Sequence, residues 1–167
     1  MSGGVTIGVE CVGGDDVRAL LLAMRALAAG LYPPESRHGL DLADYERPEV
    51  TLLVARRDGV AVGCGAYLLQ GDGSAEVKSM FVAPEARGRG IGRAVLAAIE
   101  AALSGRVTTL RLETGVKQLA AIRLYEGAGF RRRGPVGDYR ADPLSVFMEK
   151  PLGVSAPPPG KRGLKGV

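Results

Sequence analysis

The chain has 167 residues, 46% of them hydrophobic, and carries 22 Lys and Arg against 18 Asp and Glu for a net charge of +4. That length suits one domain that buries roughly 70% of its unfolded surface, so a disulfide- or metal-stapled miniprotein is excluded. Lys161, Arg162 and Lys165 all follow Pro159, and setting these three aside leaves a body near +1, too neutral for a nucleic-acid-binding face.

Val5-Thr6-Ile7-Gly8-Val9-Glu10 alternates apolar with polar or small residues and predicts a first strand. Gly13-Gly14-Asp15-Asp16 supplies a turn and cap for a helix over Val17–Ala29, with Val17, Leu20, Leu21, Met24 and Leu27 on one face and Gly30 as its stop. Thr51–Arg56 and Val60–Leu69 flank Asp58-Gly59, a hairpin signal, and Gly71-Asp72-Gly73 turns the chain into Ala75–Val82. A helix over Ala94–Leu103, with Ala94, Val95, Ala98, Ile99 and Ala102 to one side, leads through Ser104-Gly105 to a strand at Val107–Leu112. A strand, a helix and a strand in succession make the fourth and fifth strands parallel. Gln118–Glu126 reads as a further helix and Ser145–Glu149 as a closing strand.

No repeat or second domain interrupts this order, so residues 1–152 form one α/β domain. From Gly153 to Val167 the Pro, Gly and Lys composition cannot build a core, and this tail is predicted disordered. Cys11 and Cys64, without a CxxC or a His-x-x-x-His, point to no disulfide framework and no metal, and both are predicted to be reduced core thiols. Met1-Ser2-Gly3-Gly4 opens no signal peptide and no apolar run is long enough to span a bilayer. A cytoplasmic protein without a membrane partner is the expectation.

The segment with most chemical content is Arg87-Gly88-Arg89-Gly90-Ile91-Gly92-Arg93, between a strand and a helix. Glycines here let a ligand approach the backbone, and the helix that follows starts with unpaired N–H groups and a partial positive charge, an anion site. A dinucleotide fingerprint is excluded because Arg93 and Val95 stand where the third glycine would fall, and a P-loop because no Gly-Lys-Ser/Thr follows. What remains is Arg87-x-x-Gly90-x-Gly92 behind Val82-Ala83-Pro84, which resembles the coenzyme A loop of the GCN5-related N-acetyltransferases (GNAT).

Leu124-Tyr125-Glu126-Gly127-Ala128-Gly129-Phe130 is similar to a second segment of that family. Gly63-Cys64-Gly65-Ala66, Glu76-Val77-Lys78-Ser79-Met80, Leu112-Glu113-Thr114-Gly115 and Asp142-Pro143-Leu144-Ser145 extend the likeness to a bacterial branch typified by YsnE. The resemblance implies a single-domain GNAT fold, a mixed central sheet of about six to seven strands flanked by helices, with the fourth and fifth strands splayed to admit the pantetheine arm. It also implies acetyl-CoA as cosubstrate, direct transfer to a primary amine in a ternary complex, and a homodimer as an option.

By the same resemblance, backbone N–H groups of Met80, Phe81 and Val82 serve the pantetheine arm and the thioester oxygen, while residues 87–93 hold the diphosphate. Gln118 stands where many members carry a coenzyme-contacting asparagine, so that contact depends on a longer amide. Tyr125 becomes the proton donor to the departing thiolate, the alternative being a tyrosine packed under Phe130. An alkyl ammonium with a pKa of about 10 must lose a proton before attack, and Glu76 is the candidate base with Glu113 as competitor. Arg37, His38, Tyr139 and Asp142 complete the candidate acceptor pocket. His38 alone reads as a surface residue, whereas Pro33-Pro34-Glu35-Ser36-Arg37-His38 as a group is too polar for core. Arg37 could grip a carboxylate or phosphate, which favours a small anionic amine. Two other readings stay open: a protein lysine or N-terminal acetyltransferase, and a non-catalytic acyl-CoA-binding sensor.

Overall fold

A computed structural model describes residues 4–135 and 142–153. Its strands are β1 (Val5–Val9), β2 (Val50–Arg57), β3 (Val60–Leu69), β4 (Ser74–Val82), β5 (Thr109–Gly115), β6 (Arg131–Arg133) and β7 (Ser145–Pro151), and its α-helices are α1 (Asp15–Leu31), α2 (Ile91–Leu103) and α3 (Leu119–Gly127). Short 3-10 turns lie at Pro34–Ser36, Leu42–Glu46 and Pro84–Ala86. All seven strands join one sheet in the order β1-β2-β3-β4-β5-β7-β6, and β4–β5 is its parallel pair. The Asp58-Gly59 turn carries φ values of 52° and 80°, the positive pair that a tight hairpin needs.

Several boundaries differ from the sequence expectation, each for a physical reason. Gly30 does not stop α1, which runs to Leu31. Tyr32 precedes Pro33 and is therefore pushed into extended backbone (φ −133°, ψ 146°), so the proline, not the glycine, ends the helix. α2 starts three residues before Ala94, and its buried face is Ile91, Val95, Leu96, Ile99 and Leu103 while Ala94 is exposed. Val107 closes the turn that follows α2, its N–H donating to the Leu103 carbonyl at 3.2 Å, so β5 begins only at Thr109. β6 is three consecutive arginines, which carry no alternating signal. Cys64 is buried as expected, but Cys11 is exposed and is not a core thiol. The predicted disordered tail, from 154 onward, lies outside the described residues.

Leu21, Leu96, Ile99, Leu103, Leu110 and Met148 are fully buried and bind the helices to the sheet, each contributing about 2 kcal/mol of apolar burial. α2 sits unusually close to β3 because Gly63 and Gly65 face it. A methyl added at Gly65 would lie 2.6 Å from both Val95 Cγ1 and Met80 Sδ.

Two irregularities in β4 create the site. β4 pairs with β5 only from Ser74 to Val77 against Thr109 to Leu112, although the strands continue to Val82 and Gly115. Beyond Val77 and Leu112 the two strands part, as the splay requires, while β5 stays paired with β7 to its end. On its other edge, β4 has an extra residue in its register with β3 between the pairs Cys64–Phe81 and Ala66–Lys78. Ser79, inside that bulge, has φ 57°.

Candidate active site

The loop after β4 delivers the start of α2 at the C-terminal end of the sheet's middle strand. Gly88 and Gly90 have φ values of 76° and 77°, a region costly for any residue with a Cβ, and nothing lies within 4 Å of where a Cβ would stand. No side chain caps α2, so its first-turn N–H groups are left for a ligand. Arg89 and Arg93 are exposed beside it. Arg87 is turned back instead: its Nε donates to the Val82 carbonyl at 3.0 Å and its guanidinium lies 5.6 Å from the Phe81 ring centre. Gly92 serves packing, because a Cβ there would come within 3.3 Å of Leu124.

Where β4 and β5 part, a cavity of about 410 Å³ opens. Met80 and Phe81 of β4, Glu113 of β5, Gln118 and Tyr125 beside and on α3, and Arg37 and His38 of the segment after α1 all line it. The structure thus brings together residues that are up to about ninety positions apart. Val82, the loop 87–93, Glu76 and Asp142 are not in this wall. Tyr139 lies outside the described residues.

Tyr125 is 5% exposed and meets Phe130 edge-on at 5.9 Å, and burial drives its phenol pKa well above the ordinary value. The packing weighed for this residue is therefore present, and at neutral pH the phenol carries its proton. Gln118 sits at the start of α3, its Oε1 accepting the Gly115 N–H at 3.3 Å.

Glu76 is buried, with Oε1 3.0 Å from Lys78 Nζ and Oε2 accepting from Gln70 Nε2 at 3.2 Å. Glu113 Oε1 meets His38 Nδ1 at 2.6 Å and accepts from the Ser145 hydroxyl at 2.6 Å. Its Oε2 is buried without a hydrogen-bond partner among the described residues. His38 Nε2 lies 3.0 Å from the Glu35 carbonyl, so both ring nitrogens face acceptors, an arrangement suited to the imidazolium. The Glu113 hydrogen bond is the main cause of a raised His38 pKa, with Asp142 adding to it and partial burial opposing it. Lys78 Nζ donates to the His38 carbonyl at 3.1 Å, a second tie between β4 and this segment. Asp142 is held below its usual range by the Leu144 N–H and the Ser36 hydroxyl and works as an anchor for the loop.

Two residues with structural duties here, Tyr32 and Tyr45, were not singled out from the sequence. Tyr32 covers Gly115, where a Cβ would stand 1.8 Å from the phenol oxygen, and that oxygen accepts the Lys117 N–H at 3.1 Å. Tyr45 and Cys64 both bond Ser79. The Asp41-x-x-Asp44 spacing of a capping box marks the short helical turn that carries Tyr45, but not its partner.

Residues 21–130 match the acetyltransferase (GNAT) family. The chain belongs to that family. A GNAT protein named IAA acetyltransferase, from Azospirillum brasilense, is 49% identical over 150 residues, which is 89% of this chain and 98% of the relative. The uncharacterized N-acetyltransferase YsnE of Bacillus subtilis (strain 168) is 38% identical over 72% of this chain and 82% of its own length. Among solved structures, an acyl-CoA N-acyltransferase from Klebsiella pneumoniae superposes with a TM-score of 0.75 at 39% identity, covering 89% of this chain and 98% of that one. The parted parallel strands β4 and β5 are therefore part of a GNAT fold. Among the described residues no helix is long and apolar enough to cross a membrane.

Proposed function

We propose that this GNAT enzyme moves the acetyl group of acetyl-CoA directly to the primary amine of a small molecule that also carries an anionic group. The observation that carries the coenzyme half is the uncapped start of α2 behind two left-handed glycines, which presents N–H groups to a diphosphate. Gly88, Arg89, Gly90, Ile91 and Arg93 hold the diphosphate, Arg87 braces the loop, and the pantetheine arm runs between β4 and β5. The main-chain N–H of Met80 takes the thioester oxygen, a preorganised donor of a kind that lowers barriers by about 3 kcal/mol.

Proton movements follow from the side chains. The acceptor loses one proton from its ammonium, and its lone pair attacks the thioester carbon. The tetrahedral adduct collapses with C–S cleavage, and Tyr125 supplies the thiolate with a proton that the adduct's nitrogen returns. Of the two carboxylates, Glu113 is in the cavity wall, whereas Glu76 is outside it and ion-paired to Lys78. Glu113 is the better-situated base. E113Q is expected to move the acid limb of the pH–rate profile, and E76Q is not; the opposite result would restore Glu76 to that role.

Arg37 supports an anionic acceptor. Arg25 is matched by Asp41 and Lys78 by Glu76, whereas Arg37 lines the cavity with no ion pair among the described residues. The relative named IAA acetyltransferase is consistent with a small acceptor, and residues of the segment after α1, from Pro34 to Leu40, line the cavity. A screen following free thiol release tests the reading. Small anionic amines should turn over above polyamines and peptides. Peptide preference would favour protein acetylation, and acetyl-CoA binding with no turnover on any amine would favour a sensor.

A further inference from the structure

The β4 bulge holds Ser79 in left-handed backbone, which disfavours any residue with a Cβ and must be held from outside. Two elements do so. Tyr45, from the 3-10 turn Leu42–Glu46, shares a 2.5 Å hydrogen bond between its hydroxyl and that of Ser79. Cys64 of β3 donates its S–H to the Ser79 carbonyl at 3.2 Å. Both are buried, at 8% and 1% exposure, and neither is part of the cavity wall. Burial pushes the Cys64 thiol up to about 12, so it remains a neutral donor.

The Ser79 carbonyl and the Met80 N–H belong to one planar trans peptide and point in opposite directions. Pinning the carbonyl toward Cys64 therefore sets the direction of the Met80 N–H. We infer that Tyr45 and Cys64 are positioning residues that lock the Ser79–Met80 peptide plane and so aim the Met80 N–H at the thioester oxygen. The inference rests on the role given above to that N–H. It adds a link between the two halves of the site, because the turn that carries Tyr45 continues directly from the segment over the acceptor pocket and is tied to α1 through Asp41 and Arg25 at 3.1 Å.

The test compares Y45F, C64A and C64S, alone and with S79G. Y45F removes one oxygen and keeps the ring, and both Y45F and C64A should lower kcat about tenfold while leaving KM for acetyl-CoA and for acceptor within about twofold. C64S keeps a donor and should retain most of the activity. S79G lets the backbone adopt the bulge without a clamp, so Y45F should cost less than about twofold in the S79G background. Amide exchange at Met80 should be faster in Y45F and C64A than in wild type, a readout that needs no acceptor. If no amine turns over even with wild type, the acceptor reading fails while Met80 exchange still decides the clamp. Unchanged kcat and unchanged Met80 exchange would overturn the inference. So would a rise in KM at constant kcat, or an equal Y45F loss with and without S79G. Should Y45F fail to fold, the C64A against C64S comparison carries the same decision.

Discussion

Burial raises the Tyr125 phenol pKa, so the group carries its proton at neutral pH, and its donation to the thiolate has to be coupled to return of a proton from the adduct's nitrogen. Y125F keeps the ring against Phe130 and removes only the proton. It should lower kcat by about 100-fold with acetyl-CoA affinity unchanged, and equal turnover of the two proteins would reduce Tyr125 to packing. His38 makes a prediction of opposite character, on stability. Its pKa is raised above 6.5 in the folded state, chiefly by Glu113, so its contribution is fully present below pH 6.5 and fades as pH rises through the raised value. H38A should therefore depress Tm more at pH 6 than at pH 9. The reverse order of the two losses would mean the imidazolium does not tie this segment to β5. Tyr32 and Tyr45, by contrast, could not be told from ordinary aromatic residues in the sequence, because their partners Gly115 and Ser79 lie far along the chain.

Among the elements, α2 does two jobs that pull on different glycines. Its approach to β3 depends on Gly65, where a methyl would come within 2.6 Å of Val95 and Met80. G65A should destabilise the protein by about 1–3 kcal/mol, read from denaturant midpoints at constant m-value. The diphosphate site proposed at its N-terminus depends on Gly90, at φ 77° with open space where a Cβ would point. G90E adds both a disfavoured backbone and a carboxylate facing the diphosphate, and calorimetry should find acetyl-CoA at least about tenfold weaker. Retained affinity would remove the loop from the coenzyme site. The place of Gly90 at the start of a helix could be read from its neighbours because a helix start is local. That of Gly65 could not, since nothing in the sequence says which helix covers β3.

For the molecule as a whole, the parted strands β4 and β5 meet at Ser74–Val77 and nowhere beyond, so a ligand in the gap would bridge two halves of the sheet. Acetyl-CoA at 100 times its Kd should stabilise the fold by about 2.7 kcal/mol, seen as a rise in Tm that G90E abolishes. A rise that survives G90E would place the coenzyme elsewhere. Alternation, turn residues and the glycine loop by themselves determined the order of most strands and helices, because each is written in neighbouring residues, and the parallel β4–β5 pair followed from the succession of strand, helix and strand. The length of α1 beyond Gly30, the strand β6, the exposure of Cys11, the turning back of Arg87 and the pairing of Glu113 with His38 were decided only in the folded structure. In each of these the deciding partner is set by packing across the fold, and local propensity is too weak to oppose it.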